Sequence, residues 1–127
     1  MTPHPHKGRI GLDRVVRAAG HSMSGLALAY RGESAFRQEF WLAAVLLPLA
    51  FWVGDGWLEI TALLASVLLV LIVELLNSGI EAAIDRISLD VHELSKRAKD
   101  LASAAVFLSL VLCAMVWGAA LWQRFLA

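Results

Sequence analysis

The chain has 127 residues, 59% of them hydrophobic and 17% charged, with 11 basic and 11 acidic side chains in balance. A soluble domain is usually about 45–50% apolar, so this composition, with a mean hydropathy of +0.68, indicates one integral membrane domain. The balanced charge argues against a nucleic-acid partner, and the single cysteine, Cys113, excludes an internal disulfide or a multi-cysteine metal site.

The opening MTPHPHK is polar and proline-bearing, with no apolar run before Val15. Residues 1–9 are expected to form a disordered tail, not a signal peptide, with His4 and His6 as solvated tail residues. From 10 to 31 the pattern predicts an amphipathic surface helix. Leu12, Val15, Val16, Ala19, Met23, Leu26 and Tyr30 share one face at helical spacing, and Arg14, Arg17, His21 and Ser24 share the other. Basic residues opposite an apolar stripe suit a helix lying among lipid headgroups; packing on a soluble core is the alternative. Arg31, Gly32 and Glu33 then break the helix. Glu33 and Glu39 flank the entry to the next segment and, on the residues alone, read as interfacial carboxylates.

Three membrane helices are expected, at about 36–54, 58–87 and 92–124. The first is apolar from Phe40 to Gly54, carries Trp41 and Trp52 near its ends, and contains Pro48, which is expected to bend it. The second runs from Ile60 to Ile80 and is interrupted only by Glu74 and Asn77 among strongly polar residues. The third is uncharged from Leu101 to Trp122, and Trp117, Trp122 and Arg124 are expected to form an interfacial belt at its far end. Basic residues precede the first span (Lys7, Arg9, Arg14, Arg17, Arg31, Arg37) and separate the second from the third (Arg86, Lys96, Arg97, Lys99). That bias places the N-terminus and the second loop in the cytoplasm, with the Gly54–Trp57 turn and the C-terminus on the periplasmic side.

The second helix holds the unusual chemistry. At 100° per residue, Glu74, Glu81 and Asp85 fall within about 40° of one another, and Asn77 lies about 60° to one side. Carboxylates on an apolar helix are costly in lipid, so the stripe should face protein, water or a cation. Glu74 lies about 10 Å deeper than Glu81. A carboxylate at the boundary can hold Mg²⁺ together with phosphate oxygens. A deeper one, drawn out of bulk water, suits proton acceptance. The alternative is that these acids pair with Arg86, Arg97 or Lys99 and only join helices. Lys99 is a suitable point charge for phosphate, although a Lys99–Asp100 pair at a helix entry also serves as a topology signal.

Three spans cannot surround such a stripe, so a homo-oligomer is expected. Small residues that allow close helix approach recur as Ser78–Ala82, Gly79–Ala83 and the run from Ala102 to Ala105. The P-loop and dinucleotide fingerprints are missing, as are the signatures of soluble protein kinases.

Four strings, RVVRAAGHSMSGL, SAFRQE, VELLNSGIEAAIDRI and HELSKRAKDLASAAV, closely resemble the prokaryotic diacylglycerol kinase family of small integral membrane lipid kinases. The resemblance covers nearly the whole chain from Arg14. Its most specific part is E-x-x-N-x-x-x-E (Glu74, Asn77, Glu81) followed by D-R and A-K-D, in forms more like the Gram-negative enzymes than the undecaprenol kinases. It implies an all-α membrane homotrimer in the bacterial inner membrane, with three transmembrane helices and one surface helix per protomer and sites shared between neighbours. The implied reaction moves the γ-phosphoryl of ATP, with Mg²⁺, to the primary hydroxyl of sn-1,2-diacylglycerol, giving phosphatidate. The family roles place Glu74 as general base, with Asn77 beside it, and Glu33 and Glu81 as metal ligands. Arg14, His21, Glu33, Glu81, Asp90, Val91, His92, Lys99 and Asp100 would contact nucleotide. Arg14, Ser22, Ser34, Ala35, Glu39, Glu74 and Ser103 would contact the lipid substrate. His21, Gly32, Asp90 and Val91 depart from the more usual Tyr, Asn, Glu and Tyr, which bears on adenine contacts. Competing readings are a kinase for undecaprenol or another lipid alcohol, an ion-pathway subunit, and an assembly protein. For an ion pathway, Ile60 to Val73 offers only Thr61 and Ser66.

Overall fold

The computed structural model describes residues 11–127; the expected tail, with His4 and His6, lies outside them. The described residues form four helices: α1 (Leu12–Gly32), α2 (Ser34–Val53), α3 (Trp57–Ile87) and α4 (Glu93–Phe125). Three of these, α2, α3 and α4, are long and apolar enough to cross a membrane. At 1.5 Å per residue α3 and α4 are about 46 and 50 Å long. Both outrun a hydrocarbon core of about 30 Å, so each carries several turns beyond it.

Short connections set the arrangement. Between α1 and α2 only Glu33 leaves helical geometry, at φ −119° and ψ 111°. Arg37 bridges the joint: its Nη1 donates to the carbonyls of Tyr30 (3.0 Å) and Arg31 (2.9 Å), occupying acceptors that the end of α1 leaves open. Trp41 Nε1 donates to the Tyr30 hydroxyl at 3.0 Å, and the Tyr30 and Phe40 rings meet edge-on with centroids 5.4 Å apart. Between α2 and α3, Gly56 sits at φ 84°, a conformation glycine adopts without penalty. Gly54 is required for a different reason. A Cβ there would lie 2.5 Å from Ile60 Cγ1 and 2.9 Å from the Ala50 carbonyl oxygen. Between α3 and α4, His92 Nδ1 accepts the Leu94 N–H at 3.0 Å and caps α4.

Helix α3 is the centre of the bundle. It packs on α4 and α2, while α1 touches α2 and α3 only. The core joins Ala43, Ala50 and Val53 of α2, Leu63 and Val67 of α3, and Trp117 and Ala120 of α4. The alanines leave room for the Trp117 indole, which is 8% exposed. Trp117 therefore does not join an interfacial belt; it shares the inward face of α4 with Cys113, Val116 and Ala120, whereas Trp122 is turned outward. Many large apolar side chains stay exposed on the single chain, among them Trp41, Val45 and Phe51 on α2, Leu68 and Ile72 on α3, and Phe107, Leu108 and Met115 on α4. On α1, Leu12, Val15, Val16 and Met23 are exposed and only Ala29 is buried.

Candidate active site

Glu74 lies seventeen residues into α3, about 25 Å from its Trp57 end, which brings it near the far edge of a hydrocarbon layer that starts at Trp57. Its side of α3 faces the bundle, and the residue is only 6% exposed. Glu39 reaches it from α2, and the two carboxyl groups lie within hydrogen-bonding reach. Oε2 of Glu39 is buried and receives no N–H or O–H among the described residues. Glu33 and Glu81 are close enough for their charges to act on Glu74. Four acids, from the α1–α2 joint, α2 and α3, are thus grouped along about two turns of the bundle. One turn along α3, Asn77 Nδ2 donates to Glu81 Oε1 at 3.4 Å, so its amide points along the stripe toward Glu81, while its Oδ1 is buried without a donor.

Asp85 ends the stripe in an ion pair with Lys99 Nζ at 2.8 Å, tying α3 to α4, and Lys96 pairs with Asp100 at 2.6 Å. These residues edge a cleft of about 250 Å³ whose lining includes Asp85, Asp90, Val91, His92, Lys99 and Asp100. The loop from Ser88 to His92 thereby gathers five of the nine expected nucleotide contacts. Glu33 and Glu81 stand beside Glu74 rather than in that lining. Arg14 and His21 are exposed on α1, which does not touch α4 within one chain.

A second cleft, of about 620 Å³, separates α1 from α3 and is lined by Ser22, Leu26, Glu33, Ser78, Gly79 and Ala82, among others. The small α3 residues expected to draw helices together instead leave this space open within the chain. Of the expected lipid contacts, Glu39 and Glu74 meet, and Ser22 lines the second cleft. Arg14, Ser34, Ala35 and Ser103 are exposed and line neither cleft.

The donor set bears on a metal. Among the described residues no group of three His, Cys, Asp or Glu side chains forms a ligand cage. Mg²⁺ does not need one, being held by one or two carboxylates with water and phosphate oxygens completing the shell. The hard carboxylate oxygens of Glu81 and Glu33, both near enough to Glu74 for their charges to act on it, fit that demand.

Sequence reasoning on the residues alone missed the meeting of Glu39 with Glu74. A signal was present: Glu39, Ala43, Leu46 and Ala50 follow the i, i+4, i+7, i+11 spacing of one helical face, and Ala43 and Ala50 are core residues.

Three helices long and apolar enough to cross a membrane, one of which buries Glu74 and ends at a cleft of mixed charge, fit an integral membrane protein equipped for polar chemistry at the membrane edge. The chain belongs to the prokaryotic diacylglycerol kinase family, whose description matches residues 20–121 and so spans every carboxylate of the site. It is 50% identical over 117 residues to the diacylglycerol kinase of Pseudomonas aeruginosa, covering 92% of this chain and 95% of that protein. The diacylglycerol kinase of Haemophilus influenzae is 46% identical over 108 residues, with 85% and 92% covered. That of Escherichia coli (strain K12) is 44% identical over 115 residues, with 91% and 94% covered.

Proposed function

We propose that this chain is a diacylglycerol kinase of the bacterial inner membrane, moving the γ-phosphoryl group of ATP to the primary hydroxyl of sn-1,2-diacylglycerol. The observation that carries the reading is Glu74, a buried carboxyl grouped with three other acids on a helix whose far end lines a cleft carrying Lys96 and Lys99. Near full-length identity to proteins named diacylglycerol kinase supports the choice of lipid.

In this reading Glu74 takes the hydroxyl proton as the alcohol oxygen attacks the γ-phosphorus. The bond from the γ-phosphorus to the bridging oxygen breaks in line, ADP leaves, and phosphatidate forms. Asn77, one turn along α3, can orient the alcohol by turning its Nδ2–H from Glu81 Oε1 to the hydroxyl oxygen, which leaves the hydroxyl proton to Glu74. Mg²⁺ would be held by Glu81 and Glu33, and when bound it neutralises phosphate charge. Lys99 exchanges Asp85 for phosphate oxygens, and Asp90, Val91, His92 and Asp100 line the nucleotide cleft. Arg14 and His21 reach that cleft from a neighbouring protomer, since α1 does not meet α4 within one chain.

The exposed apolar faces of α2, α3 and α4 suit a homotrimer embedded in lipid. The exposed apolar stripe of α1, opposite Arg14 and Arg17, suits a helix lying on the bilayer surface. Diacylglycerol then enters sideways from the membrane, past Ser22, Ser34, Ala35 and Ser103, toward the Glu39–Glu74 pair. The distribution of basic residues supports an N-terminus in the cytoplasm and a C-terminus in the periplasm.

The test is product identification. Purified protein in mixed micelles receives γ-labelled ATP with diacylglycerol and undecaprenol side by side. Labelled phosphatidate, formed only with Mg²⁺, is the expected product; label confined to undecaprenyl phosphate, or no labelled lipid, overturns the proposal.

A further inference from the structure

We infer that Glu39 is a positioning residue for Glu74: its carboxyl shares one proton with the Glu74 carboxyl and fixes which Glu74 oxygen is offered to the lipid hydroxyl. The inference rests on the base role proposed for Glu74 and adds to it a partner from another helix.

The geometry leaves few alternatives for Glu39. It sits on the inward face of α2, above Ala43 and Ala50. Its Oε2 is out of reach of water and of every N–H and O–H donor among the described residues. Beside it lies a cavity of only about 50 Å³, lined otherwise by apolar side chains including Leu42, Ala43, Val67, Val70 and Leu71. That space is too small and too apolar for a lipid headgroup. The polar group in reach is the Glu74 carboxyl. Two ionised carboxylates in contact repel, and neither can donate. One proton between them turns the contact into a charge-assisted O–H···O bond, among the stronger hydrogen bonds available to a side chain. A cation in place of the proton would need several waters to complete its shell, and the space beside Glu39 is small and apolar.

The bond occupies one Glu74 oxygen and stops the carboxyl from turning. The other oxygen remains to accept the hydroxyl proton, so orientation is set before the lipid arrives. The shared proton stays within the pair during phosphoryl transfer. The proton taken from the alcohol leaves Glu74 for solvent after phosphatidate departs.

The experiment compares Glu39→Gln and Glu39→Leu with wild type, by steady-state kinetics in mixed micelles and by infrared spectroscopy of the resting protein. The glutamine amide can still donate to Glu74 and keeps the shape; leucine keeps bulk and donates nothing. Misplacing a reacting group by about 1 Å can cost about 100-fold. Glu39→Leu should therefore lose roughly 10- to 100-fold in kcat, with KM for diacylglycerol and for MgATP unchanged, while Glu39→Gln, which still donates to Glu74, should lose clearly less in kcat than Glu39→Leu. Wild type should show a protonated-carboxyl stretch that disappears in Glu39→Gln. A higher lipid KM with kcat retained in Glu39→Leu would overturn the inference in favour of a lipid contact. Equal damage from the two substitutions in assembled protein would also overturn it. The band does not depend on turnover: its absence from active wild type overturns the carboxyl pair, whereas inactive wild type with the band overturns the kinase reading. If Glu39→Leu does not assemble, the glutamine variant and the band decide the matter.

Discussion

Replacing Glu74 by glutamine keeps the size and hydrogen-bonding capacity of the side chain and removes its ability to accept a proton. A positioned general base is worth about 10²–10⁴ in rate. The structure argues for the upper half of that range. Glu74 is only 6% exposed, so water cannot readily stand in for it. The neighbouring acid, Glu39, is engaged by the contact with Glu74 and faces an apolar cavity. A loss of roughly 10³–10⁴ in kcat follows, or about 4–5.5 kcal/mol of transition-state stabilisation at 1.36 kcal/mol per decade. The amide can still donate to the Glu39 carboxyl, so packing of α2 on α3 should survive. The assay is initial-rate formation of labelled phosphatidate at saturating diacylglycerol and MgATP, with the assembled state checked by size-exclusion chromatography and nucleotide affinity by equilibrium binding. A variant that keeps its assembly and loses less than about tenfold in kcat would refute the base assignment.

Other substitutions probe separate parts of the argument. Glu81→Gln should raise the Mg²⁺ concentration needed for half-maximal rate while kcat at saturating Mg²⁺ falls less than in Glu74→Gln; a metal titration identical to wild type contradicts the ligand role. Gly54→Ala places a methyl 2.5 Å from Ile60 Cγ1 and 3.0 Å from Ile60 Cα, an overpacking that should destabilise the fold by about 1–3 kcal/mol. Gly118→Ala, with open space around its Cβ position, should not be destabilising, and reversible unfolding in mixed micelles compares the two. Asp85→Asn breaks the 2.8 Å pair with Lys99. Because both side chains are nearly half exposed, solvent screens the pair, and the unfolding midpoint should stay at the wild-type value while the Michaelis constant for MgATP changes.

The three long helices and the α3 stripe were readable from sequence because each depends on local order: runs of apolar residues, and carboxylates repeating at helical spacing. What local order does not contain is which surfaces meet. Trp117 looked like an interfacial anchor because tryptophan near the end of a span usually is one. Whether it turns inward depends on Ala43, Ala50 and Ala120 clearing space, two of them on another helix. Asp85 and Lys99 are fourteen residues apart on different helices, and their pairing depends on how sharply the loop from Ser88 to His92 folds back. Glu39 was the most instructive case. Composition placed it at the membrane surface, yet its helical phase placed it on the α2 core face, and phase decided. The small residues of α3 were read for the closeness they permit, whereas within the chain they face the cleft beside α1.

The joint at Glu33 has a mechanical consequence. A single extended residue separates α1 from α2, and Arg37 laces the two helices together across it. Glu33 is therefore both the elbow of the chain and one of the acids beside Glu74. Glu39 is six residues further along the same rigid rod, about 9 Å away. Any rocking of the outer helix about this elbow is geared to the placement of both side chains, so stresses felt at the lipid surface reach the reaction centre through one short lever arm.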